Sequence, residues 1–229
     1  MSIVFRSAVL VTLALLGNCQ MSDSGQTSGR ESFVVLSPGS SVQTEVRYFS
    51  SENFVGEVID GYQAPVIYLT LEAYEALRAV LVEAETLGLG IKVFDAYRPQ
   101  QAVDHFVRWA EDLSDTRMKA QYYPEVEKQH LFRDGYIASR SGHSRGSTLD
   151  LTLFKLETGK ELDMGTTFDF FDKSSWGESE AVTAQQQSNR ALLRMLMTQH
   201  GFRPLREEWW HFTLENEPYP ETYFNFPVR

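Results

Sequence analysis

Two short stretches of the chain carry residue types that suit metal-dependent hydrolysis. In the first, His143 and Asp150 lie seven positions apart, with Gly146 between them to let the chain turn. An imidazole nitrogen and a carboxylate oxygen brought together in this way can each approach a zinc ion to about 2.0–2.2 Å. The pair alone leaves a second interpretation open, a histidine hydrogen-bonded to a neighbouring aspartate on a sheet.

The second stretch, near the C-terminus, supplies a third ligand in His211 and a candidate base in Glu208. Two histidines and one aspartate leave the fourth tetrahedral position open, which is typical of catalytic rather than structural zinc. Zinc lowers the pKa of bound water to about 7, and a nearby carboxylate can take its proton. The sequence therefore predicts one zinc ion per chain, bound by His143, Asp150 and His211.

The backbone around these residues must be strand-like in one stretch and irregular in the other. Alternation in 149–153 predicts a strand with its leucines on a buried face and Asp150 on the opposite face. Glu208 and His211 are three positions apart and would point to opposite sides of a regular strand. We therefore expect a turn or bulge between them. The intervening Trp209 and Trp210 are interpreted as core residues.

Helices and short strands are predicted to alternate irregularly along the chain. Helical spacing of apolar residues predicts a helix over 71–87, with Thr70 as its N-cap. A strand over 91–94 leads to a second helix that begins at Pro99 and runs to about residue 111. A third helix is expected over 189–200, capped by Ser188. This mixture predicts an α+β domain with a largely antiparallel sheet flanked by helices, and with the zinc site at the sheet.

Composition limits the class of protein. The chain has 229 residues, 42% of them hydrophobic, which suits one folded domain. A formal net charge of -10 argues against nucleic acid and against electrostatic docking to anionic lipid. Cys19 is the only cysteine, so the chain can form neither an internal disulfide nor a thiolate zinc site. A small-molecule substrate is expected, and the sequence does not determine the oligomeric state.

The N-terminus has the pattern of an export signal. Arg6 precedes an apolar run over 8–16 that is about half of the roughly 20 residues needed to span a bilayer as a helix. We expect residues 1–18 to be a signal peptide, 19–31 a polar flexible linker and 32–229 the catalytic domain. The expected location is the periplasm.

Residues Leu16 to Cys19 resemble a bacterial lipobox, in which the cysteine is lipidated and anchors the protein to the membrane. Asn18 departs from the small residue usual before that cysteine. Two outcomes therefore stay open, lipidation at Cys19 or cleavage by the ordinary signal peptidase with Cys19 an incidental thiol.

Taken together, the motifs resemble the D-alanyl-D-alanine dipeptidases, a family that includes enzymes of vancomycin-resistance clusters. The resemblance spans about residues 45–229. It is carried by these stretches: Asn53–Gly56, Gly61–Tyr62, Asp95–Pro99, Ser141–Leu153, Met164–Asp169, Glu208–His211 and Glu217–Pro220. It implies hydrolysis of D-Ala-D-Ala to two D-alanines, in peptidoglycan metabolism or recycling.

The resemblance also implies individual roles. The zinc ligands fall on His143, Asp150 and His211, the base on Glu208, and an arginine that stabilises the transition state on Arg98. Ser141 and Asp169 would hold the free amino group of the substrate, and Tyr48 and Tyr62 would line a small pocket. From residue type alone, Asp169 would be a surface acid and the two tyrosines half-buried packing residues.

Two positions depart from the family pattern, Gly142 and Thr148, where a serine-like residue and alanine are expected; they bear on pocket shape only. Two alternative functions stay open: a D,D-carboxypeptidase or endopeptidase of the same peptidase group, and a non-catalytic peptidoglycan-binding protein. The other histidines, His105, His130 and His200, are interpreted as structural.

Overall fold

The computed structural model describes residues 29–229. The predicted signal peptide, Cys19 and the linker as far as residue 28 lie outside the described residues. Among the described residues, none of the helices combines the length and apolar character needed to cross a membrane.

A five-stranded sheet forms the centre of the fold, with a separate pair of antiparallel strands beside it. The strands are β1 (Phe33–Leu36), β2 (Val42–Thr44), β3 (Ile67–Thr70), β4 (Leu89–Asp95), β5 (Thr148–Lys155), β6 (Phe202–Leu205) and β7 (Glu208–Leu214). The small sheet pairs β1 with β3, and the large sheet has the order β2-β4-β5-β7-β6. Only β2 and β4 run parallel in the large sheet. The predicted α+β architecture with a largely antiparallel sheet is confirmed.

Four helices accompany the sheets: α1 (Leu71–Thr86), α2 (Gln100–Glu111), α3 (Lys119–Tyr122) and α4 (Ala184–Gln199). Thr70 caps α1 as predicted, accepting a hydrogen bond from the Ala73 amide at 3.4 Å. Both long helices, α1 and α4, pack against the sheet and against each other. The apolar face of α1 is built from Ala73, Leu77, Val80, Leu81 and Ala84, whereas Leu71 is exposed, contrary to its place in the predicted stripe.

The start of α4 differs from the prediction by five residues. The helix begins at Ala184 because Thr183 and Gln186 form a capping box, in which each side chain accepts a hydrogen bond from the backbone amide of the other. Ser188 lies inside the helix, where its hydroxyl donates to the Ala184 carbonyl oxygen. The first turns of α4 are rich in glutamine and lack apolar residues at helical spacing, so the sequence pattern indicates a helix only from residue 189 onward.

Both faces of the central strand β5 are buried. Leu149, Leu151 and Leu153 are fully buried on one face, as predicted. The opposite face carries Asp150 and Thr152, which are also inaccessible to solvent. Aromatic residues pack near this polar face, including Phe168, which stacks on Phe94 of β4 and lies edge-on to Trp210 of β7; Trp209 is also buried. The polar face of β5 is therefore an interior surface, which is where a water-excluding site can form.

Candidate active site

Three chemically important residues lie side by side across three neighbouring strands. In the register of the sheet, Asp95 of β4 faces Asp150 of β5, and Asp150 faces His211 of β7. A bulge at Phe94 brings Asp95 into this row, because the register shifts between Val93 and Asp95. Strand pairing thus aligns three residues that are 55 and 61 positions apart in sequence, from Asp95 to Asp150 and from Asp150 to His211.

His143 reaches this row from the turn that precedes β5. It lies in a short 3-10 helix over Gly142–Arg145 that ends at Gly146, whose φ of 84° is left-handed. A Cβ atom at position 146 would lie 2.1 Å from the Phe33 ring, so close packing also requires glycine there. The turn predicted at Gly146 is present, and it places His143 beside Asp150.

Three candidate ligand atoms converge on one point. His143 Nε2 lies 3.2 Å from Asp150 Oδ2 and 3.3 Å from His211 Nδ1, and His211 Nδ1 lies 3.1 Å from Asp150 Oδ1. Tetrahedral zinc with bonds of about 2.0–2.1 Å separates its ligand atoms by roughly 3.3 Å. The three side chains are therefore spaced as a zinc ion requires, and they form the one three-ligand group of this kind among residues 29–229.

Hydrogen bonds prepare these atoms for a cation. His143 Nδ1 lies 2.7 Å from the Ala96 carbonyl oxygen and must donate to it, which leaves Nε2 as an unprotonated ligand atom. Asp150 Oδ1 is buried, and although His211 Nδ1 lies 3.1 Å away, no donor in the described part of the chain meets it with hydrogen-bonding geometry. A buried carboxylate oxygen without a donor is costly unless a cation is bound to it. The donor set and its environment fit zinc.

The side chains of the cluster shift one another's pKa values. Burial opposes charge on His211, but its close contacts with the Asp150 and Glu208 carboxylates raise its pKa to about 9. Burial likewise acts against the Asp150 carboxylate, but the His143 and His211 side chains hold the pKa of Asp150 well below its usual range.

Glu208 reaches the cluster through a backbone irregularity. In the pairing of β6 with β7, Leu205 faces Glu208 but Pro204 faces Phe212, so β7 contains extra residues at this point. The expected bulge is present, and Glu208 Oε2 lies 3.3 Å from His211 Nδ1. Glu208 lies beside the cluster but is not part of the three-ligand group.

Arg98 lies between the two buried aspartates. Its Nε donates to Asp95 Oδ2 at 2.8 Å, and its Nη2 lies 3.3 Å from Asp150 Oδ2. The guanidinium group also stacks over the Tyr48 ring, 4.9 Å from its centre. Sequence reasoning overlooked Asp95, although its three-residue spacing from Arg98 in the same motif was a usable signal.

A cavity of about 240 Å³ opens onto the cluster. Its lining includes the three candidate ligands and Glu208, together with Arg98, Ser141, Asp169 and Tyr48. The aromatic residues Phe54, Phe106, Tyr136 and Phe171 complete much of its wall, and sequence analysis did not single them out. The predicted site residues, with one exception, therefore line one cavity.

Asp169 is a buried residue of this cavity. Its side chain is 6% exposed and accepts a hydrogen bond from the Tyr48 hydroxyl at 2.8 Å. The expectation from residue type alone, a surface acid, is wrong. Asp169 is also the one non-glycine residue of the described chain with a left-handed backbone, at φ 59°. Burial raises the pKa of Asp169 well above its usual range, and the Asp150 carboxylate raises it further.

The two tyrosines occupy different positions. Tyr48 lines the cavity, whereas Tyr62 is absent from its wall and lies behind Asp95, donating to Asp95 Oδ1 at 2.6 Å. The expected lining role of Tyr62 is therefore corrected to a contact with the partner of Arg98. Both side chains are fully buried rather than half-buried. Ser141 lines the cavity and accepts from the His143 amide at 3.3 Å.

Gly142 and Thr148, the two departures from the family pattern, lie against each other. A Cβ atom at position 142 would lie 2.9 Å from Thr148 Oγ1, and that hydroxyl pairs with Thr213 Oγ1 at 2.9 Å. The threonine at position 148 therefore leaves little room for a side chain at position 142. Of the other histidines, His105 contacts Glu57, and His200 lies 2.7 Å from Glu83; His130 ends a short 3-10 helix.

Comparison with known proteins gives consistent matches over the described domain. The model of the D-ala-D-ala dipeptidase family matches residues 33–229. A D-alanyl-D-alanine dipeptidase of Enterococcus faecalis is 44% identical over 187 residues, which cover 82% of this chain and 93% of that protein. A relative of the same name from Streptomyces coelicolor is 43% identical over 189 residues, 82% of this chain and 94% of its own length. A D-alanyl-D-alanine dipeptidase from Escherichia coli is 35% identical over 173 residues, which cover 76% of this chain and 79% of that protein.

Among solved structures, the vancomycin-resistance D,D-pentapeptidase VanY in complex with Zn(II) covers 69% of this chain and 78% of its own, at 12% identity and a TM-score of 0.40. That likeness is too remote to bear on the site. The matched range of the family model contains the strands and turns that carry the cluster and its cavity. This chain belongs to the D-Ala-D-Ala dipeptidase family of peptidases.

Proposed function

We propose that the protein hydrolyses D-Ala-D-Ala to two D-alanines with one zinc ion bound by His143, Asp150 and His211. The observation that carries the proposal is that this three-ligand group and the buried Asp169 carboxylate line the same cavity. The relatives that bear the name D-alanyl-D-alanine dipeptidase agree with it. A zinc ion, when bound, would supply a Lewis acid that polarises the scissile carbonyl group and acidifies water.

Residues of the chain would supply proton transfer and charge stabilisation. In this proposal Glu208 takes a proton from the attacking water and passes it to the departing amine nitrogen, a role supported by its contact with His211. Arg98 lines the cavity with its charge held in place by Asp95 and Asp150, so it can stabilise negative charge on the carbonyl oxygen as the reaction proceeds. The aromatic wall keeps water from competing with these contacts.

Asp169 supports dipeptide rather than longer peptide substrates. A dipeptide has a free ammonium group, and a charge-assisted hydrogen bond to Asp169 would offset the burial that raises the pKa of this carboxyl group. In a stem peptide, the corresponding nitrogen is already an amide. That substrate would leave the buried carboxylate without a cation.

The test is hydrolysis of four substrates by purified protein, with and without a chelator: D-Ala-D-Ala, L-Ala-L-Ala, acetyl-D-Ala-D-Ala and a stem pentapeptide. We expect rapid release of D-alanine from D-Ala-D-Ala, only slow residual release from acetyl-D-Ala-D-Ala and the pentapeptide, and no hydrolysis of L-Ala-L-Ala. Chelation should abolish the release, and zinc should restore it. Cleavage of a stem pentapeptide as fast as the free dipeptide would instead favour the D,D-carboxypeptidase function. Absence of all hydrolysis in zinc-loaded protein would favour a binding protein.

Export of the protein is a separate proposal that rests on residues 1–18. We propose that the mature protein lies in the periplasm, and two forms stay open: a lipoprotein anchored to the membrane through Cys19, or a protein released by the ordinary signal peptidase. Fractionation of cells expressing the full chain and its Cys19→Ala variant tests both. Protein retained in the cytoplasm contradicts export, and membrane association unchanged by Cys19→Ala contradicts lipidation.

A further inference from the structure

The active-site cavity contains a second arginine that the proposed chemistry does not use. Arg140 lines the cavity and is exposed, in contrast to the buried Arg98. Within residues 29–229, its guanidinium group has neither an ion-pair partner nor a hydrogen bond. The guanidinium carbon lies over the ring of Tyr223, 4.9 Å from the ring centre.

The other arginines near the site are already paired. Arg98 directs its Nε to Asp95 and its Nη2 to Asp150. Arg145 forms a two-pronged pair with Glu217, at 2.7 and 2.8 Å, and does not line the cavity. Arg140 is therefore the cation of the cavity with its hydrogen-bonding edge available to a ligand.

The C-terminal segment holds this free cation in place. The Tyr223 ring that supports Arg140 also lies near Arg145, whose Nη1 is 3.5 Å from the Tyr223 hydroxyl. Glu217 neutralises Arg145, so the ring is held between one paired and one unpaired arginine. This arrangement gives a role to the Glu217–Pro220 motif, which the reaction itself does not require.

The charges of the cavity suit a molecule with two opposite charges. Asp169 is buried at 6% exposure, whereas Arg140 is exposed, so the negative group lies deep and the positive group lies near solvent. A free dipeptide is a zwitterion whose two charged ends are about 7 Å apart in an extended conformation. If Asp169 binds the ammonium group, the carboxylate still needs a partner.

We propose that Arg140 binds the C-terminal carboxylate of the dipeptide substrate, with Tyr223 as its support. The inference rests on the proposed function and extends it, because it names the second end of the substrate that the enzyme recognises. The cavity then selects dipeptides with both termini free, by Asp169 at one end and Arg140 at the other. Neutralising either end of the substrate removes one contact only.

The test compares D-Ala-D-Ala with D-alanyl-D-alaninamide, which keeps the ammonium group but lacks the carboxylate charge. For wild-type enzyme we expect KM to be about tenfold higher for the amide, as for the loss of one charge-assisted hydrogen bond at a partly solvated site. Arg140→Ala should raise KM for D-Ala-D-Ala by about tenfold, leave KM for the amide unchanged, and change kcat little. Arg140→Lys should give a KM for D-Ala-D-Ala between those of wild type and Arg140→Ala.

A binding measurement separates recognition from turnover. In a Glu208→Gln background, which should hold substrate with little hydrolysis, calorimetry gives Kd for both ligands with and without Arg140→Ala. The matched control is Arg133→Ala, since Arg133 precedes the cavity segment, is exposed, and pairs with Asp134 outside the cavity. We expect Arg133→Ala in the Glu208→Gln background to have the same Kd for each ligand as Glu208→Gln alone.

The outcomes distinguish this inference from the function on which it rests. If wild-type enzyme cuts D-Ala-D-Ala but Arg140→Ala weakens both ligands equally, or neither, the carboxylate contact is refuted while the dipeptidase function stands. If zinc-loaded wild type cuts neither substrate, the proposed function fails and this inference fails with it. The contact is supported if Arg140→Ala, but not the Arg133→Ala control, loses the preference for D-Ala-D-Ala over D-alanyl-D-alaninamide.

Discussion

His143 Nδ1 lies 2.7 Å from the carbonyl oxygen of Ala96, and this single contact determines which nitrogen of the ring faces the cavity. Because Nδ1 must donate its hydrogen there, Nε2 is left as a lone pair directed at Asp150 and His211. The cluster therefore owes its metal-binding form to a backbone carbonyl at the end of β4, outside the three ligands themselves.

We predict that His143→Ala, Asp150→Ala and His211→Ala each lose bound zinc and activity together, because each removes one of three protein ligands. Metal content by atomic absorption and D-alanine release measure the two losses. His200→Ala is the control, since His200 pairs with Glu83 away from the cavity and should keep both. Full activity after exhaustive chelation would refute the metal site.

Glu208→Gln should keep zinc but slow hydrolysis by at least about 10²-fold, because the amide cannot accept the proton that the base removes. The amide is nearly the same size as the carboxylate, so the bulge in β7 should persist. Zinc content and kcat are measured on the same preparation. Equal loss of metal and activity would instead make Glu208 a ligand.

Arg98→Lys should lower kcat more than it raises KM, since the lysine keeps the charge but loses the fork that contacts Asp95 and Asp150. Arg98→Ala should have a larger effect and should also destabilise the fold, because it leaves two buried carboxylates without their cation. Steady-state kinetics and thermal unfolding separate these effects. A change in KM alone would reassign Arg98 to ground-state binding.

Asp169→Asn should reduce kcat/KM for D-Ala-D-Ala by on the order of 10²-fold or more, through loss of the charge that pairs with the ammonium group. Its effect on acetyl-D-Ala-D-Ala should be small, because that substrate brings no cation. The two substrates are compared on the same variant by D-alanine release. An equal reduction for both would indicate that Asp169 supports the fold and not the amine.

Gly142→Ser should destabilise the protein by roughly 1–2 kcal/mol, because the new side chain would crowd Thr148 Oγ1. Adding Thr148→Ala should recover much of that loss by making room, giving a coupling free energy of about 1 kcal/mol between the two positions. Chemical unfolding of the two single variants, the double variant and wild type completes the cycle. Additive effects would show that the contact is not the reason for the two departures.

Residue type and spacing determined much of this site before any tertiary contact was known. His143, Asp150, Glu208 and His211 are recognisable because few side chains bind zinc or transfer protons, and the chain has a single cysteine to compete with them. The need for a bulge between Glu208 and His211 also followed from local geometry, since side chains alternate along a strand. The start and end of α1 could likewise be predicted from residues next to each other in sequence.

Burial and the partners of charged groups were decided only by the tertiary structure. From residue type alone Asp169 was expected on the surface, but it is a buried residue of the cavity. Tyr62 was expected in the cavity wall, but it contacts Asp95 behind it. The pairing of Asp95 with Arg98 and the free edge of Arg140 likewise depend on segments distant in sequence. Local sequence fixes which chemistry a side chain can do, but the solvent exposure and electric field that select one use depend on strands and loops brought together by the whole fold.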